Sequence, residues 1–400
     1  MSLSRRLGRR LIMKRQISIV MGANWGDEGK GSVTAKLADR EGAIVVLCNG
    51  GPQRGHASSN GKVSHTFHHF GSGTLNRKPT VLAREFMVNP MAFVEEWNEL
   101  KEKGFEPSVY GENPLVTFPH DMLFNQHLER LRGGERHGSC GMGIWATQCR
   151  ANENFGLRLE DFRHIEKSEF DRIWRKLIDF YKDKLDFSSM KFLEDPNFKD
   201  HYWQDLQHTL KCVPLVDKFG IFDVSKDIVF EMGQGLELDM NRKDNMPHIS
   251  GSDVGVDVPL RFLERNELKG KAEVTSYFVT RPYVTRHGAG PLKYECAKED
   301  LFYADDLTNV PNEWQGPQRY ARIDVNRLIR NIHMEKRAEV KRALVITHVD
   351  ETFGQVLYVE DGKDVDRNMN VFAENMRHHV DGVFASDSDS SLDPLRSVWT

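Results

Sequence analysis

The stretch ISIVMGANWGDEGKG, residues 17–31, decides the fold. Its first six residues are a short apolar run that ends in glycine, which predicts a buried parallel strand entering a tight turn. The following residues, 32–37, have helical character. A strand, a glycine-rich turn and a helix in this order are typical of a phosphate-binding arrangement, because backbone N–H groups at a helix N-terminus attract anions.

Three further apolar runs have the same form, a buried strand followed by a polar loop: residues 43–47 before Asn49-Gly50-Gly51, residues 228–232 before Gly233-Gln234-Gly235, and residues 343–346 before Thr347-His348-Val349-Asp350. Ligands bind at the carboxyl ends of strands in open α/β sheets. Residues 165–212 have the spacing of amphipathic helices, and the tail from Ala385 is polar and predicts turns. The sequence therefore predicts an α/β fold with a large central, mostly parallel, twisted sheet flanked by helices.

The domain organisation is expected to be simple. Residues 1–14 carry several arginines but no apolar run of the kind found in signal peptides, so we expect a disordered N-terminal extension. Residues 15–400 contain no internal repeat and no long low-complexity linker, which predicts a single domain.

Composition excludes several classes of protein. The 400 residues are 39% hydrophobic, which is enough for a large core, and the net charge of −4 gives no sign of a nucleic-acid surface. No stretch reaches the roughly 18 apolar residues that a membrane span needs. The five cysteines form no CxxC pair, which favours reduced thiols in the cytoplasm over a zinc site or a disulfide framework.

The charges in the glycine-rich turn indicate more than phosphate binding. The turn differs from the usual P-loop, because position 24 is asparagine and Lys30 is followed by Gly31. Lys30 supplies a positive charge for a polyphosphate, but Asp27 and Glu28 place carboxylates beside it. A carboxylate in that position is useful if it binds Mg²⁺ or removes a proton.

Residues 25–31, WGDEGKG, resemble the signature of the adenylosuccinate synthetase family. Other segments resemble that family in the same order: NGGPQRGH at 49–56, FMVNP at 86–90, GSCGMGI at 138–144, GQGLELD at 233–239, TRHGAGP at 285–291 and THVD at 347–350. The family joins aspartate to the 6-oxo carbon of IMP after GTP has phosphorylated that oxygen. The resemblance implies a P-loop-like, GTP-binding ligase fold, a requirement for Mg²⁺ and a homodimer.

The resemblance also implies catalytic roles for particular residues. Asp27 matches the general base that takes the purine N1 proton and also contacts Mg²⁺. His56 matches the general acid that acts on the 6-oxygen. Gln234 is expected to contact the substrate, and the carbonyl group of Gly55 matches a second metal ligand.

Two further groups of residues match binding positions of the family. The positions for GTP, with ATP as a possible replacement, are Glu28, Gly29, Lys30, Gly31, His348, Asp350 and Ser386. The positions for the purine nucleoside monophosphate are Asn49, Gln53, Ser139, Cys140 and Ser250. The Asp350 carboxylate can accept hydrogen bonds from guanine N1–H and its 2-amino group. His348 stands where the family has lysine, and Cys140 where it has threonine.

The segment that binds L-aspartate in the family departs most from its pattern. The family has TTGRxRR, whereas residues 312–324 read NEWQGPQRYARID and lack both threonines. Gly316 keeps the turn, and Arg319 and Arg322 are the candidates for a bidentate clamp on the dicarboxylate. Arg150 and Arg158 are candidates for the arginine that the family donates across its dimer interface.

Two alternatives stay open. Residues 52–54, PQR, are bulkier than the Asn-Ala pair of the family, and this divergence resembles the phage-associated and archaeal-like branch. One sub-branch there, the 2-aminoadenylosuccinate synthetases, acts on dGMP in a diaminopurine pathway. Its best-known members have serine in place of the base, so Asp27 favours IMP without excluding dGMP. The chain is expected in the cytoplasm, that of the host if it is phage-encoded.

A second alternative is a guanine-nucleotide switch that hydrolyses GTP without ligation. His56 and Gln234 argue against it, because a switch has no use for an acid beside a purine monophosphate. Neither a nucleic acid nor a membrane is expected as a partner.

Overall fold

The computed structural model describes residues 15–216, 221–222, 227–301 and 316–399. The expected N-terminal extension, residues 1–14, lies outside the described residues. The single domain expected over residues 15–400 stays a prediction.

Within the described residues, the main sheet has nine strands. In spatial order they are β19 (Arg396–Trp399), β18 (Gly382–Ala385), β15 (Val340–Ile346), β10 (Glu273–Thr280), β1 (Gln16–Gly22), β9 (Ile228–Gly235), β2 (Ile44–Leu47), β5 (Thr80–Leu82) and β7 (Val109–Gly111). All neighbouring pairs are parallel except β18 with the edge strand β19. The expected mostly parallel α/β sheet is therefore confirmed.

Helices cover the sheet and smaller strands extend its loops. The helices are α1 (Lys30–Ala38), α2 (Pro90–Glu102), α3 (Pro119–Arg132), α4 (Ile144–Arg150), α5 (Lys167–Tyr181), α6 (Phe187–Leu193), α7 (Pro196–Cys212), α8 (Asp257–Arg265), α9 (Val325–Met334) and α10 (Met369–Met376). The smaller sheets contain β3 (His56–Ser59) with β4 (Ser64–Phe67), β6 (Met87–Val88) with β8 (Leu115–Val116), β11 (Val284–His287) with β13 (Gln318–Ala321) and β12 (Glu295–Cys296), and β14 (Ile323–Asp324) with β16 (Gln355–Glu360) and β17 (Lys363–Asn368). The helices expected within residues 165–212 are confirmed as α5, α6 and α7.

The apolar runs in the strands follow from burial on both faces of the sheet. In β1, Ile17 and Ile19 pack into the core on one face, and Val20 packs into the core on the other. Strand β2 divides in the same way, with Val46 on the first face and Val45 on the second. Because a strand alternates its side chains between faces, a strand covered on both sides must be apolar throughout.

The C-terminal tail contains more than the turns expected from its composition. After the turns, β19 pairs antiparallel with β18 and closes one edge of the sheet. In the part of the chain that the structure describes, no helix has the length and apolar character needed to cross a membrane.

Candidate active site

The predicted loops meet at one edge of the main sheet because their strands run parallel. The loop after β1 lies between the loops that follow β10 and β9. The side chain of Thr285 donates a hydrogen bond to the carbonyl oxygen of Gly26 (3.0 Å), and Arg281 Nε donates to the carbonyl oxygen of Asp27 (2.7 Å). These bonds fix the backbone of the loop from the β10 side.

Asp27 has a left-handed backbone, with φ of 58°. Aspartate tolerates this conformation better than most residues, because its short side chain bonds locally. The carboxylate is 31% exposed, and its Oδ2 atom lies 3.6 Å from Nε2 of His287. Asp27 is thus the carboxylate of the loop that faces outward, where a substrate can reach it.

The carboxylate of Glu28 points the other way. It is buried inside the loop, and its Oε1 atom accepts a hydrogen bond from the backbone N–H of Asn24 (2.6 Å). Burial raises the pKa of Glu28 to about 7, against the opposing effect of Lys30, whose Nζ atom is 3.8 Å away. The side chain of Glu28 therefore shapes the loop, and a contact with a nucleotide would involve its backbone.

The glycines of the loop allow α1 to pack closely. A Cβ atom on Gly31 would lie 2.4 Å from the carbonyl oxygen of Ala57 in β3, so only glycine fits there. Gly29 precedes α1 with φ of 80°, and the ring of His348 lies over it. Helix α1 consequently begins at Lys30 with its N-terminal N–H groups directed toward the site, as an anion-binding helix requires.

His56 is part of a buried charged cluster. Its Nδ1 atom lies 2.6 Å from Oε1 of Glu231 and 2.7 Å from Nη2 of Arg54. Arg54 Nη2 also lies 2.8 Å from the same carboxylate oxygen, and Ser72 donates to both oxygens of Glu231. Burial, aided by Arg54, lowers the pKa of His56 to about 3. The imidazole is therefore uncharged at neutral pH.

Arg54, one of the three bulkier residues at 52–54, is part of this cluster. Its side chain is fully buried and lies beneath His56. Glu231 stays ionised, because Arg54 and the hydrogen bonds of the cluster outweigh burial and lower its pKa to about 2.

Gln234 lies at the end of β9 with φ of 71°, partly exposed, beside the loop that carries Asp27. Asn49 is buried, and its amide group bonds to both backbone polar groups of Gly233 and to the carbonyl of Asp253. Gln53 accepts a bond from the N–H of Gly51 within its own turn (2.7 Å). Asn49 therefore connects the loop after β2 to the loop after β9, and Gln53 orders its own turn.

The expected monophosphate residues lie in two loops. Ser139 donates to Oδ1 of Asn125 (2.8 Å) and accepts from the N–H of Gly141 (3.2 Å), and Cys140 beside it is partly buried. The hydroxyl of Ser250 bonds to the backbone of Ser252 (3.2 Å). These contacts order each loop locally.

The predicted guanine loop follows β15. The hydroxyl of Thr347 donates to the carbonyl of Glu28 (2.8 Å), which attaches this loop to the glycine-rich turn. His348 contacts Thr347, and the Asp350 carboxylate beyond it is exposed. Ser386, after β18, is buried with its hydroxyl bonded to the carbonyl of Ser388 (3.1 Å).

Both candidate clamp arginines already have carboxylate partners. Arg319 makes a bidentate pair with Glu295 and also donates to the carbonyls of Gly288 and Gly290. Arg322 pairs with Asp364 and Asp366 of β17. Gly316, where a turn was expected, has a backbone φ of 69°. The segment before it, residues 302–315, lies outside the described residues.

The prediction that Arg150 is an arginine donated to a partner subunit is wrong. It is completely buried and makes a bidentate pair with Asp121 of its own chain (2.9 and 3.0 Å). Arg158 donates to the carbonyl oxygens of Arg84 and Asn113, so it too is held within the subunit.

The donor set for Mg²⁺ is small. The outward carboxylate of Asp27 and the exposed Gly55 are the predicted ligands, and among the described residues no group of three or more His, Cys, Asp or Glu side chains could hold a metal ion. Mg²⁺ commonly takes one or two protein ligands together with water and substrate phosphates. The two residues fit that pattern.

The sequence analysis missed Glu231, Arg281 and His287. A signal existed for Glu231, because a carboxylate within the apolar run IVFEM must be paired when it is buried. Arg281 immediately follows β10, so its position at the sheet edge follows once that strand is known. His287 stands where the resembling segment of the family has valine, and only the fold brings it to Asp27.

Comparisons with known proteins identify the family. The family model described as adenylosuccinate synthetase matches residues 19–350. Adenylosuccinate synthetase of Staphylococcus aureus (strain N315) is 26% identical over 365 residues, which cover 87% of this chain and 82% of that protein.

Two solved structures share the fold. The fully ligated adenylosuccinate synthetase of Plasmodium falciparum has a TM-score of 0.71 at 17% identity and covers 94% of this chain and 98% of that one. The succinoaminodeoxyadenylate synthetase of cyanophage S-2L, bound to dGMP and dATP, has a TM-score of 0.59 at 14% identity and covers 97% and 96%. With a family match over most of its length, and with the signature loop at the centre of its sheet edge, this chain belongs to the adenylosuccinate synthetase family of carbon–nitrogen ligases.

Proposed function

We propose that this enzyme joins L-aspartate to the 6-oxo carbon of IMP, with GTP as phosphoryl donor, to form adenylosuccinate. The choice of IMP rests on Asp27, which keeps an outward carboxylate at the centre of the sheet edge. A carboxylate there can remove the N1 proton of the purine, which makes the 6-oxygen nucleophilic toward the γ-phosphate.

The family resemblance and the positions of the surrounding groups support the following roles. Lys30 and the N–H groups that begin α1 bind the nucleotide phosphates, with Gly29 and Gly31 permitting the close approach. His56 and Gln234 act on the 6-oxygen and the purine. Positive charge and hydrogen-bond donors near that oxygen stabilise the phosphoryl group during transfer.

The nucleotide and metal assignments extend this proposal. The exposed Asp350 reads the guanine base, and His348 and Ser386 are further contacts to the nucleotide, which favours GTP over ATP. The Asp27 carboxylate and the Gly55 carbonyl would hold Mg²⁺, which would neutralise negative charge on the phosphates. Ser139, Cys140 and Ser250 bind the monophosphate, with Asn49 and Gln53 supporting the purine loop.

Aspartate binding requires an exchange of partners. Arg319 is paired with Glu295, and Arg322 with Asp364 and Asp366, and all three pairs are partly exposed. Exposed ion pairs contribute little stability, so a dicarboxylate substrate can replace them at small cost. We infer that Glu295, Asp364 and Asp366 occupy these arginines until aspartate arrives.

A second candidate substrate is dGMP. The cyanophage synthetase, which shares the fold over 97% of this chain, was solved with dGMP, and its energy donor was dATP. Asp27 can accept hydrogen bonds from N1–H and the 2-amino group of guanine together. The reaction would form the 2-amino succinyl product, with GTP or ATP as donor.

One experiment separates these possibilities. The protein is incubated with Mg²⁺, aspartate, GTP or ATP, and either IMP or dGMP, and the succinyl product is identified by its mass. We expect adenylosuccinate from IMP and GTP. A product from dGMP alone would establish the second candidate, and GTP hydrolysis at an equal rate without aspartate and purine would contradict ligation and favour a switch.

The assembly and location are part of the same proposal. We propose that the enzyme works as a homodimer in the cytoplasm, as expected from the family. Sedimentation of the purified protein tests the dimer, and a monomer with full activity would contradict it.

A further inference from the structure

The segment between β18 and β19, residues 386–395, is bonded to helix α1 by a lysine. In the last part of α1, Nζ of Lys36 donates hydrogen bonds to the carbonyl oxygens of Ser390 (2.6 Å) and Asp393 (2.8 Å). Lys36 is only 8% exposed, and a buried ammonium group is costly unless its hydrogens are bonded. Hydrogen bonds from a charged donor are stronger than neutral ones, so Lys36 holds the segment firmly against the helix.

The same segment also supplies negative charge around this ammonium group. Burial lowers the pKa of Lys36, and the carboxylates of Asp393, Asp389 and Asp387 oppose that effect. A lysine has three donor hydrogens and no acceptor, so backbone carbonyls and carboxylates are the partners that suit it. Both the bonds and the surrounding charge therefore favour a lysine on α1 facing this segment.

A second contact connects α1 to Ser386, the first residue of the segment. The hydroxyl of Ser32, one helical turn before Lys36, donates to the carbonyl oxygen of Ser388 (3.3 Å). The same carbonyl oxygen accepts the hydroxyl of Ser386 (3.1 Å). The N–H group of Ser386 donates to the carbonyl oxygen of Ile346 (2.9 Å), directly before the predicted guanine loop. Helix α1 is thus connected, through the segment, to the loops after β18 and β15.

The two ends of the donor nucleotide belong to different parts of this arrangement. Lys30 begins α1 and is expected at the phosphates, whereas Ser386 and the loop after β15 are expected at the base. A nucleotide bound at both places depends on the spacing between the N-terminus of α1 and Ser386. Fixing that spacing before the nucleotide arrives removes the entropic cost of ordering the segment on binding.

We propose that Lys36 is a positioning residue for the donor nucleotide, because it holds residues 386–395 on α1 and so fixes the spacing between the phosphate-binding and base-binding groups. The inference deepens the proposed function and rests on it for the assignment of these two groups. Lys36 therefore contributes to the affinity for the nucleoside triphosphate. IMP and aspartate, which other loops bind in the proposed function, do not depend on it.

Calorimetry with GDP and with ADP, in the presence of Mg²⁺ and without the other substrates, tests the proposal without turnover. Lys36→Met keeps an unbranched side chain of similar length but removes the ammonium group. We expect its Kd for the diphosphate that the wild type binds to rise roughly tenfold, because two bonds from a charged donor are lost. Lys36→Arg keeps a charged donor and should recover most of the affinity. An unchanged Kd in folded Lys36→Met, or a wild type that binds neither diphosphate, would overturn the proposal.

The matched control is Lys78→Met. Lys78 also donates to a backbone carbonyl oxygen near the end of α1, but that oxygen belongs to Arg40 (2.8 Å). This variant should bind the diphosphate as tightly as the wild type does. A loss equal to that of Lys36→Met would show that any lysine near α1 has this effect, which would contradict the role of residues 386–395.

Hydrogen exchange measured by mass spectrometry keeps the proposal testable even if Lys36→Met does not fold. In the wild type, the diphosphate should slow exchange across residues 386–395, where the N–H group of Ser391 is bonded to the carbonyl oxygen of Ser59 (2.7 Å). Exchange in this segment that the nucleotide leaves unchanged would overturn the proposal.

Steady-state kinetics separates positioning from a general loss of structure. Lys36→Met should raise KM for GTP roughly tenfold, with kcat and the KM values for IMP and aspartate within about twofold of the wild type. A lower kcat with every KM unchanged is the result of partial unfolding and would contradict positioning. A wild type that binds GDP but forms no succinyl product would contradict the proposed function, and the calorimetry would still judge Lys36.

Discussion

At the scale of single residues, the two neighbouring carboxylates of the signature loop have opposite surroundings. Asp27 faces outward in a left-handed turn, whereas Glu28 is enclosed by the backbone of the same loop. Adjacent residues in a tight turn direct their side chains differently, so a DE pair in sequence does not mean two carboxylates in the site.

The outward position of Asp27 leads to a prediction. Asp27→Asn should keep the loop, because asparagine also tolerates φ near 58°, but it removes the base and should lower kcat by roughly 10²–10⁴-fold. The measurement is steady-state kinetics, with nucleotide binding by calorimetry as the control for an intact site. Turnover at the wild-type rate would show that another group removes the proton.

At the scale of elements, α1 and β3 are closely packed at the site. Gly31→Ala would place a methyl group 2.4 Å from the carbonyl oxygen of Ala57, and overpacking of this kind costs about 1–3 kcal/mol. We expect a lower free energy of unfolding by denaturant, together with reduced activity. Gly134→Ala is the matched control, because nothing lies within 4 Å of its Cβ position; equal stability of the two variants would argue against the close packing.

The helical layer contains a buried histidine with a defined pH effect. His120 in α3 packs against Trp174 of α5, with 4.6 Å between ring centroids, and burial lowers its pKa to about 3, with Asp121 opposing and Arg150 assisting. The unfolded state therefore binds a proton that the native state does not between about pH 6.5 and 3. Stability from this group is present above the unfolded pKa and is lost as pH falls through that window.

Replacing His120 with phenylalanine should remove this dependence. Between pH 7 and 5, the free energy of unfolding of the wild type should fall more steeply than that of His120→Phe, by at most about 1.4 kcal/mol per pH unit. Urea denaturation at several pH values measures both slopes. Parallel slopes would mean that His120 is protonated equally in the folded and unfolded states.

At the scale of the whole molecule, the edge of the main sheet depends on the last residues. Strand β19 pairs with β18, and no strand lies beyond β19 in the described sheet. Deleting residues 396–400 would expose the edge of β18, whose residues are mostly buried, and exposed apolar edges pair with other chains.

We expect the truncated chain to unfold at a lower temperature and to form species larger than those of the full chain. Thermal unfolding and sedimentation at several concentrations are the measurements. Arg396→Ala serves as the control, since it removes only an exposed ion pair with Asp387. A truncated chain with unchanged Tm and size would show that β19 does not protect the sheet.

The sequence by itself determined the framework of this protein. The apolar runs that became β1, β2, β9 and β15 were recognisable because strands buried on both faces must be apolar throughout. The glycine-rich turn was recognisable because close approach of a backbone to a helix or a phosphate requires residues without Cβ atoms. Both requirements are local, so a short contiguous stretch of sequence is enough to reveal them.

Only the tertiary structure decided how the charged side chains are paired. Arg54 and Glu231 are 177 positions apart, yet their charges meet beneath His56, and Arg150 turned inward to Asp121. The backbone that carries Asp27 and Glu28 is likewise held by Arg281, Thr285 and Thr347, which lie far away in the sequence. A buried charge must be paired with a partner that the fold brings close to it. Which residues come close in space cannot be read from their separation along the chain.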